Sequence, residues 1–400
     1  MVRGLFTHSD VLYGVMDASL VTIGTDGLVT TVGTLLSTGG VVDFASNLGQ
    51  LCINDGTSLY VYTPATGALT TVAGYPGGDR IAFIDQRIVY LFRGTQKFGW
   101  SALADATSLG TLDFASAEGS PDILVSVLTP NREVWLFGTS STEVFNSVGG
   151  TEVFQRSRSA AIDYGCAAAH SAQRSANSVS WLSRDERGQA MVLRAAGYQP
   201  QRISTRAIEE RFEGLDVSGA TAYTYSQGGQ QFYCLNVPGV STTLVYDETF
   251  QQWHERAELV NGEYAQWRPR CHAFAYGRHY FGDATGALYT LDATAHQFGS
   301  DVICRDRIAP VLSDPSRRRL SYSMFEIVCE KATAAQVMLR YSDDNGANWS
   351  NWHYASAGSG GKYARKIRFP RLGSGFDRVF HVRMTDNAAF NPVQVAIEVR

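Results

Sequence analysis

The sequence predicts an all-β protein: a six- or seven-bladed β-propeller over residues 1–300, followed by a C-terminal antiparallel β-sandwich over residues 301–400. Its 400 residues exceed what one hydrophobic core usually serves, which favours two domains or a repeat architecture. With 39 Gly, 19 Tyr, 20 Phe and 7 Trp against 18% charged residues, the composition suits strands and tight turns rather than long helices. Strand-turn-strand units also recur at a loose spacing of ~40 to 50 residues, the period of four-stranded blades.

Seven such units can be followed along the first 300 residues. They lie at residues 20–33, 58–72, 80–98, 123–154, 178–198, 220–256 and 272–291. The first shows the plan clearly, because two apolar strands flank a loop whose Asp26-Gly27 pair is a strong hairpin signal. The blade count is six or seven, since N-terminal residues such as Leu5 and Phe6 can complete the last blade. Segment 204–215 has helical spacing instead, and we expect a short helix between blades there.

The pattern changes after residue 300. Apolar and polar residues alternate at 324–330, 336–341, 379–384 and 393–398, as in a small antiparallel sandwich. Residues 301–400 are also basic, with 15 Lys and Arg against 10 Asp and Glu, whereas the rest of the chain holds 19 against 28. This asymmetry fits a polar attachment surface and equally fits ordinary variation in surface charge.

Composition also argues against several classes of protein. A net charge of -4 does not suit a protein that wraps nucleic acid by neutralising phosphates. The six cysteines form no CxxC pair, so we expect reduced thiols rather than disulfides or a zinc site. We see no signal peptide and no apolar run long enough for a membrane anchor, and we expect synthesis in a reducing cytoplasm.

One motif raises an enzymatic alternative. Residues 342–349 fit the Asp-box pattern S-x-D-x-G-x-x-W of sialidase propellers. In that pattern Asp344 bonds backbone amides in a hairpin tip, Gly346 takes a positive φ and Trp349 packs on neighbouring strands. Because Asp-boxes lie away from sialidase active sites and occur in many non-enzymes, we interpret this one as a structural turn.

No set of residues stands out as catalytic or metal-binding. Glycoside hydrolysis needs two facing carboxylates, and the available acidic residues lie in no recognisable motif. These are Glu209, Glu210, Glu213, Glu255 and Glu258. The eight histidines are scattered without the i, i+4 spacing of a helical metal site. We therefore predict no catalytic residue, no cofactor and no metal.

The segment from residue 197 to residue 256 carries the most informative motifs. It opens with Gly-Tyr-Gln-Pro-Gln-Arg-Ile-Ser-Thr-Arg-Ala-Ile-Glu at 197–209, which resembles the packaged-DNA stabilisation proteins of short-tailed phages (podoviruses). Those proteins form the tail hub or nozzle below the portal and adaptor rings. Similar stretches follow the family's order at 45–56, 60–62, 140–145, 164–166 and 179–182. Gln230 and Gln231 depart from the family, which tends to have a His there.

The two ends of this segment have different meanings. Residues 245–256 are typical of the outer hairpin of a blade, with Asp247 bonding its own backbone in the turn and Trp253 on the next strand. Residues 203–209 do not fit the repeated strand-turn-strand units of a propeller. We expect them to form a helical insertion that contacts a neighbouring subunit.

The resemblance implies a structural subunit of the virion tail, made in the host bacterial cytoplasm. It implies a homo-oligomer, a ring of six copies joined to the portal through an adaptor protein and carrying tailspikes or fibres. The ring would plug the capsid after packaging and guide double-stranded DNA during ejection, with or without a separate tail needle. Propellers offer rigid side walls, and heterologous contacts between them close into rings. The alternatives are a carbohydrate-active or glycan-binding propeller and a cellular propeller scaffold.

The charged residues of the helical insertion and of two basic runs are candidate interface residues. They are Arg206, Glu209, Glu210, Arg211, Arg317, Arg318, Arg319, Lys362, Arg365, Lys366, Arg368 and Arg371. In a tail hub such groups could pair with an adaptor ring or face the DNA channel. Their other interpretation is ordinary solvated surface.

Overall fold

The computed structural model describes residues 1–150, 152–157, 160–175, 177–332, 335–357 and 365–400. The chain divides into two compact units. The first consists of Met1–Ala257 and Tyr264–Leu291, and the second of Glu258–Glu263 and Asp292–Arg400. The predicted boundary after residue 300 stays a prediction. None of the described helices has the length and apolarity needed to cross a membrane.

Within the described residues, seven antiparallel sheets lie wholly or mainly in the first unit, and we number them as blades 1 to 7 in chain order. Blades 1 to 4 comprise β1 (Val2–His8), β2 (Val11–Met16), β3 (Ser19–Ile23) and β4 (Val29–Thr34); β5 (Asp43–Ser46), β6 (Leu51–Asn54), β7 (Leu59–Thr63) and β8 (Ala68–Thr71); β9 (Ile81–Ile84), β10 (Arg87–Leu91), β11 (Lys97–Ala102) and β12 (Asp105–Ser116); and β13 (Leu124–Leu128), β14 (Glu133–Gly138), β15 (Thr142–Ser147) and β16 (Phe154–Arg156).

The remaining blades vary more in strand number. They comprise β17 (Gln173–Ser175), β18 (Ser178–Arg184), β19 (Ala190–Ala196) and β20 (Gln199–Arg202); β21 (Thr221–Gln227), β22 (Gln230–Asn236), β23 (Thr243–Asp247), β24 (Gln252–Val260) and β25 (Glu263–Gln266); and β26 (Cys271–Ala275), β27 (Arg278–Gly282) and β28 (Leu288–Thr290). Helix α1 (Arg206–Glu209) follows β20, and 3₁₀ turns are described at Pro130–Arg132, Ala169–Ser171 and Glu210–Phe212.

The hydrophobic core of this unit lies between blades rather than at one centre. Each of its buried clusters joins two consecutive blades, and one joins the last blade to the first through Leu5 and Leu12 against Ala273 and Tyr280. The blades therefore form a closed ring, the predicted propeller, with seven sheets. Leu5 lies on β1, the innermost strand of its own sheet, so it does not complete the last blade as the sequence had suggested.

Side-chain hydroxyls on or next to the innermost strands link neighbouring blades. Thr7 donates to the carbonyl of Phe274 at 2.8 Å, and Thr129 donates to the carbonyl of Phe83 at 2.9 Å. No described strand pairs with the inner edge of a blade, so the carbonyls there need other donors. These hydroxyls satisfy some of them and tie blade 1 to blade 7 and blade 4 to blade 3.

The outer hairpin of blade 6 confirms the interpretation of residues 245–256. Its strands β23 and β24 are joined by a turn in which Asp247 accepts hydrogen bonds from the amides of Thr249, at 2.9 Å, and Phe250, at 3.2 Å. Trp253 follows on β24, and its indole N–H donates to the carbonyl of Ile203 at 2.7 Å. The turn and the tryptophan therefore hold the hairpin and the segment before α1 together.

The second unit is an antiparallel sandwich, as predicted. Its strands are β29 (Gln297–Phe298), β30 (Asp301–Val302), β31 (Arg305–Ile308), β32 (Leu312–Ser313), β33 (Leu320–Ala332), β34 (Gln336–Ser342), β35 (His353–Ser356), β36 (Arg365–Pro370), β37 (Ser374–Gly375), β38 (Asp377–Met384) and β39 (Phe390–Val399). One sheet has the order β31-β38-β34-β35, with β32 also on β38, and the other places β33 between β36 and β39. Phe325, Ile327, Leu339 and Phe380 are among the residues of its buried cluster.

Candidate functional site and interaction surfaces

The helical insertion predicted between blades is present as α1 and the 3₁₀ turn after it. Ile208 and Phe212 anchor the insertion, because both are buried in the cluster that joins blades 5 and 6. Arg206 lies on its exposed side and pairs with Glu210 at 2.9 Å, across one helical turn. An exposed pair of this kind stabilises the fold little, so both groups remain available for other contacts.

Glu209 lies inside the molecule rather than at its surface. The residue is 1% exposed, and its carboxylate accepts hydrogen bonds from the guanidinium of Arg202 and the hydroxyl of Ser204. A buried carboxylate needs such partners, because an unpaired buried charge is strongly destabilising. Glu209 therefore fixes the insertion to the end of β20, which corrects the expectation of an exposed carboxylate at this position.

Arg211 connects the insertion to blade 6. Its guanidinium lies 2.7 Å from the carboxylate of Glu255 and 3.3 Å from the hydroxyl of Thr242, which also donates to Glu255. Burial favours the neutral form of Glu255, but these hydrogen bonds outweigh it and hold the pKa of that carboxyl below its usual value. The Arg211–Glu255 pair is partly exposed at the edge of the insertion that faces blade 6.

Arg317, Arg318 and Arg319 lie on an exposed turn between β32 and β33. The turn is fixed by the amide of Arg317, which donates to the carbonyl of Asp314 at 2.8 Å with a φ of 52°. Arg318 lies 3.7 Å from the carboxylate of Asp314, and Arg319 donates to the carbonyl of Ser374 at 3.3 Å. The three arginines outnumber the one carboxylate beside them, so this turn is a basic surface.

The second basic run is partly neutralised. Lys366 and Arg368 both pair with Glu326 across the strands β36 and β33, at 2.9 and 2.7 Å. Arg368 and then Lys366 lower the pKa of the Glu326 carboxyl below its usual value. These two basic groups are therefore occupied by an intramolecular partner.

The other members of that run have different surroundings. Arg365 begins β36 opposite Cys329. Arg371 is exposed just after β36, with a φ of 60° and an amide that donates to the carbonyl of Ser323 at 2.9 Å. Lys362 lies outside the described residues. Lys366, Arg368 and Arg371 are all exposed, and Arg371 is the one of these three for which the structure describes no ion pair.

A pocket of about 630 Å³ lies where the inner strands β1, β5, β21 and β26 converge. Arg80 is buried in its wall and pairs with Asp43 at 3.0 Å. The guanidinium also donates to the carbonyls of Ala169 and Ala172, at 3.3 and 3.2 Å, while Asp43 accepts a hydrogen bond from the amide of Ile81. One side chain thus joins the first strand of blade 2, the start of blade 3 and the 3₁₀ turn before blade 5.

The chemistry of this pocket does not match glycoside hydrolysis. Asp43 is the only carboxylate among its described lining residues, whereas that reaction needs two. Burial raises the pKa of Asp43 despite the opposing effect of Arg80, and burial followed by the charge of Arg80 lowers the pKa of His170 to about 3. In the part of the chain that the structure describes, no three His, Cys, Asp or Glu side chains are placed to hold a metal ion.

The Asp-box sequence forms a locked hairpin tip in the second unit. Asp344 accepts hydrogen bonds from the amide and side chain of Asn348, at 2.8 and 2.6 Å, and from the hydroxyl of Ser342. Gly346 adopts a φ of 94°, and the guanidinium of Arg340 lies 4.6 Å from the ring of Trp349. Every group of the motif has a structural role within the turn.

Two family models together match almost the whole chain. The Bacteriophage P22 Gp10 β-propeller matches residues 2–296, and the Bacteriophage P22 Gp10 β-sandwich matches residues 306–400. The chain belongs to the P22 Gp10 family. This is the tail hub or nozzle family of podoviruses, so the resemblance found in the sequence is confirmed and the chain is a structural phage tail protein.

Comparisons outside the P22 Gp10 family give only distant similarity. No curated protein matches the sequence. Solved structures include the extracellular domain of the hybrid two component system BT4673 from B. thetaiotaomicron, at 9% identity and a TM-score of 0.49, with 90% of this chain and 46% of that one covered. An exo-β-1,3-galactanase from Phanerochaete chrysosporium is 8% identical with a TM-score of 0.33. The alignment covers 89% of this chain and 95% of the galactanase. The Pan2 WD40 domain of Neurospora crassa is 7% identical with a TM-score of 0.45. The alignment covers 72% of this chain and 88% of that domain.

Two features of this P22 Gp10 family protein were not anticipated from its sequence. Arg80 and Asp43 pair across 37 positions, and no local motif marks them. The second feature is a pair of uncharged segments, and it could have been read from the sequence. No charged residue occurs between Asp26 and Asp43 or between Asp55 and Asp79, although charged residues make up 18% of the chain. These segments contain the outermost strands of blades 1 and 2.

Proposed function

We propose that this chain is the nozzle subunit of a short-tailed phage, one of six copies that form a ring below the portal and adaptor. The ring retains packaged DNA, encloses the channel for its ejection and carries tailspikes or fibres. The observation that carries the proposal is the match to the P22 Gp10 family over residues 2–296 and 306–400. We further propose that it acts without catalysis, as a structural component of the virion.

The dimensions of the propeller support a channel between copies rather than through one copy. A pocket of about 630 Å³, with the Arg80–Asp43 pair in its wall, has no room for a duplex. The major groove of DNA alone is ~12 Å wide and ~8.5 Å deep. A channel for the genome therefore needs several copies around a common axis, which fits a closed ring of heterologous contacts.

Seven exposed charged groups are the proposed contacts with the adaptor or with neighbouring copies. They are Arg206, Glu210, Arg211, Arg317, Arg318, Arg319 and Arg371. Charge pairs at the rim of an interface mainly raise the association rate and choose the partner, and they weaken as salt rises. Binding to the adaptor should therefore be slower at high ionic strength.

The proposal is tested in phage particles assembled with and without this protein. Capsids packaged in its absence should lose their genome, so their DNA should become sensitive to added nuclease, and supplying the purified protein during assembly should restore protection. A chain with Arg317, Arg318 and Arg319 replaced by Glu should restore less, while the same number of substitutions at Lys97, Arg132 and Arg187 is the control. Particles that keep nuclease-resistant DNA and full infectivity without the protein would contradict the proposal.

A further inference from the structure

The last strand of the sandwich has an apolar face that nothing described in the chain covers. Val395 on β39 lies opposite Ile327 on β33, and Ile327 is 1% exposed in the core. Directly opposed residues of an antiparallel pair point to the same face of the sheet. Val395 therefore points to the core side, yet Val393, Val395 and Val399 are 69%, 50% and 44% exposed. β39 extends its core-facing residues beyond the sheet that should cover them.

The backbone of β39 is also available for pairing. Among the described strands, β39 pairs only with β33, so no described strand lies beside its outer edge. Natural edge strands usually block further pairing with charged residues, proline within the strand or a bulge. From Gln394 to Ile397 β39 carries no charged residue and pairs with β33 in regular register, while its one proline, Pro392, and a bulge at Val393 lie near its start. A long edge with exposed valines suits burial against a second β-surface.

The outer wall of blades 1 and 2 has the same character. β4 and β8 are the outermost strands there, pair only with β3 and β7 among the described strands, and contain no charged residue. The outermost strands of blades 3 to 6 each contain at least one charged residue, whereas β28 of blade 7 contains none. The two uncharged strands are neighbours, because the Leu69 side chain of β8 packs directly over Gly33 of β4. Leu28, Val29 and Leu36 on this wall are 66%, 40% and 79% exposed.

We propose that β39 of one copy docks on the β4–β8 wall of the next copy, and that this contact builds the ring. The inference rests on the proposed function and names the surfaces through which that ring assembles. An uncovered row of valines needs a partner surface that loses no hydration of charged groups when it is buried, and the β4–β8 wall offers one on the same chain. Two different surfaces that fit each other generate a heterologous contact, which closes into a ring or continues as a filament.

The test uses one charged substitution on each surface of the full-length chain. Val395→Glu places a carboxylate in the β39 contact, and Thr31→Glu places one on exposed β4. Val302→Glu, at a valine of 52% exposure, and Thr290→Glu, on the exposed outer strand β28, are the matched controls. Each chain is measured by mass photometry under the conditions in which the wild type assembles, alone or on its adaptor. Circular dichroism and thermal melting confirm that all four variants fold.

We expect both surface variants to assemble at least tenfold more weakly than wild type, and both controls to assemble normally. A mixture of the two variants should form a one-to-one dimer of the 43.7 kDa chain and no larger assembly. The intact β39 of the Thr31→Glu chain can dock on the intact wall of the Val395→Glu chain, and the remaining two surfaces are both changed. Normal assembly by Val395→Glu or by Thr31→Glu would overturn the proposal, as would a mixture that stays monomeric. A Thr31→Glu chain that dimerises alone would also overturn it in favour of β39 pairing with itself.

The experiment distinguishes the absence of a ring from a ring that is built through other surfaces. A wild-type chain that stays monomeric both alone and on its adaptor would overturn the proposed function, and this contact with it. A wild-type ring that survives both substitutions would overturn only the assignment of the surfaces.

Discussion

Replacing Arg80 by Met tests whether the centre of the propeller depends on a single ion pair. Arg80 and Asp43 lie 3.0 Å apart with side chains 7% and 15% exposed, so solvent screens them little. The methionine keeps much of the side-chain volume but removes the charge and both hydrogen bonds to the carbonyls before blade 5. Removing one partner of a buried pair typically costs ~3 to 5 kcal/mol, because the other charge stays buried. We expect a loss of about 3 kcal/mol at neutral pH, since Asp43 keeps the amide of Ile81 as a partner.

The loss should depend on pH in a direction fixed by Asp43. Burial raises the pKa of Asp43 above its ordinary value, and Arg80 opposes that rise. A carboxyl with a raised folded-state pKa stabilises the fold at low pH, and that contribution is lost as the pH rises through the folded-state pKa. Without Arg80 the pKa rises further, so the penalty of Arg80→Met should be smaller near ~pH 5 than near ~pH 7.5.

Urea unfolding of the full chain at both pH values measures these effects. Arg132→Met is the control, because Arg132 makes an exposed pair with Asp85 at 2.8 Å, and such pairs contribute ~0 to 1 kcal/mol. The double variant Arg80→Met/Asp43→Asn should recover part of the loss, since it leaves no buried charge. A loss for Arg80→Met no larger than for Arg132→Met, or a penalty that grows on acidification, would refute the reasoning.

Three further predictions concern individual side chains. Hydrogen bonds, chiefly from the backbone amide of Asn348, lower the pKa of Asp344 to about 2. The contribution of Asp344 to stability should therefore be lost as pH falls from ~4 to ~2, and Asp344→Asn should flatten that part of the pH–stability curve. Burial, followed by the charge of His279, lowers the pKa of His272 to about 3; stability should therefore fall as pH drops below 6.5, and thermal melts of His272→Gln should show a smaller drop. Burial raises the thiol pKa of Cys52 and of Cys234 to about 12, so a thiolate-specific reagent should label them only after unfolding, and rapid labelling of the folded chain would contradict this.

Local patterns in the sequence predicted much of the fold because each depends on residues that are close along the chain. The hairpin of Asp247 and Trp253 needs only a turn residue and the strands on either side of it, and it forms as expected. The helical insertion was equally visible, since Ile208 and Phe212 have the spacing of one apolar helix face. The place of β1 was predicted less well, because the closure of a propeller depends on strands more than 250 residues apart, as in the bond from Thr7 to Phe274.

The candidate interface residues show the same limit. Glu209 has the sequence environment of an exposed helical carboxylate, and only the fold brings Arg202 and Ser204 against it. Lys366 and Arg368 belong to a basic run in the sequence, but Glu326 on the neighbouring strand occupies both. A charge run along one strand does not reveal what the next strand places beside it, so the run itself could not show which of its basic groups are paired within the chain.

Electron microscopy of the purified full-length protein assembled on its adaptor tests the central claim most directly. The account predicts a sixfold ring whose channel runs between the copies, with the axis of each propeller closed. A chain that stays monomeric on the adaptor and cleaves a fluorogenic sialoside would contradict it.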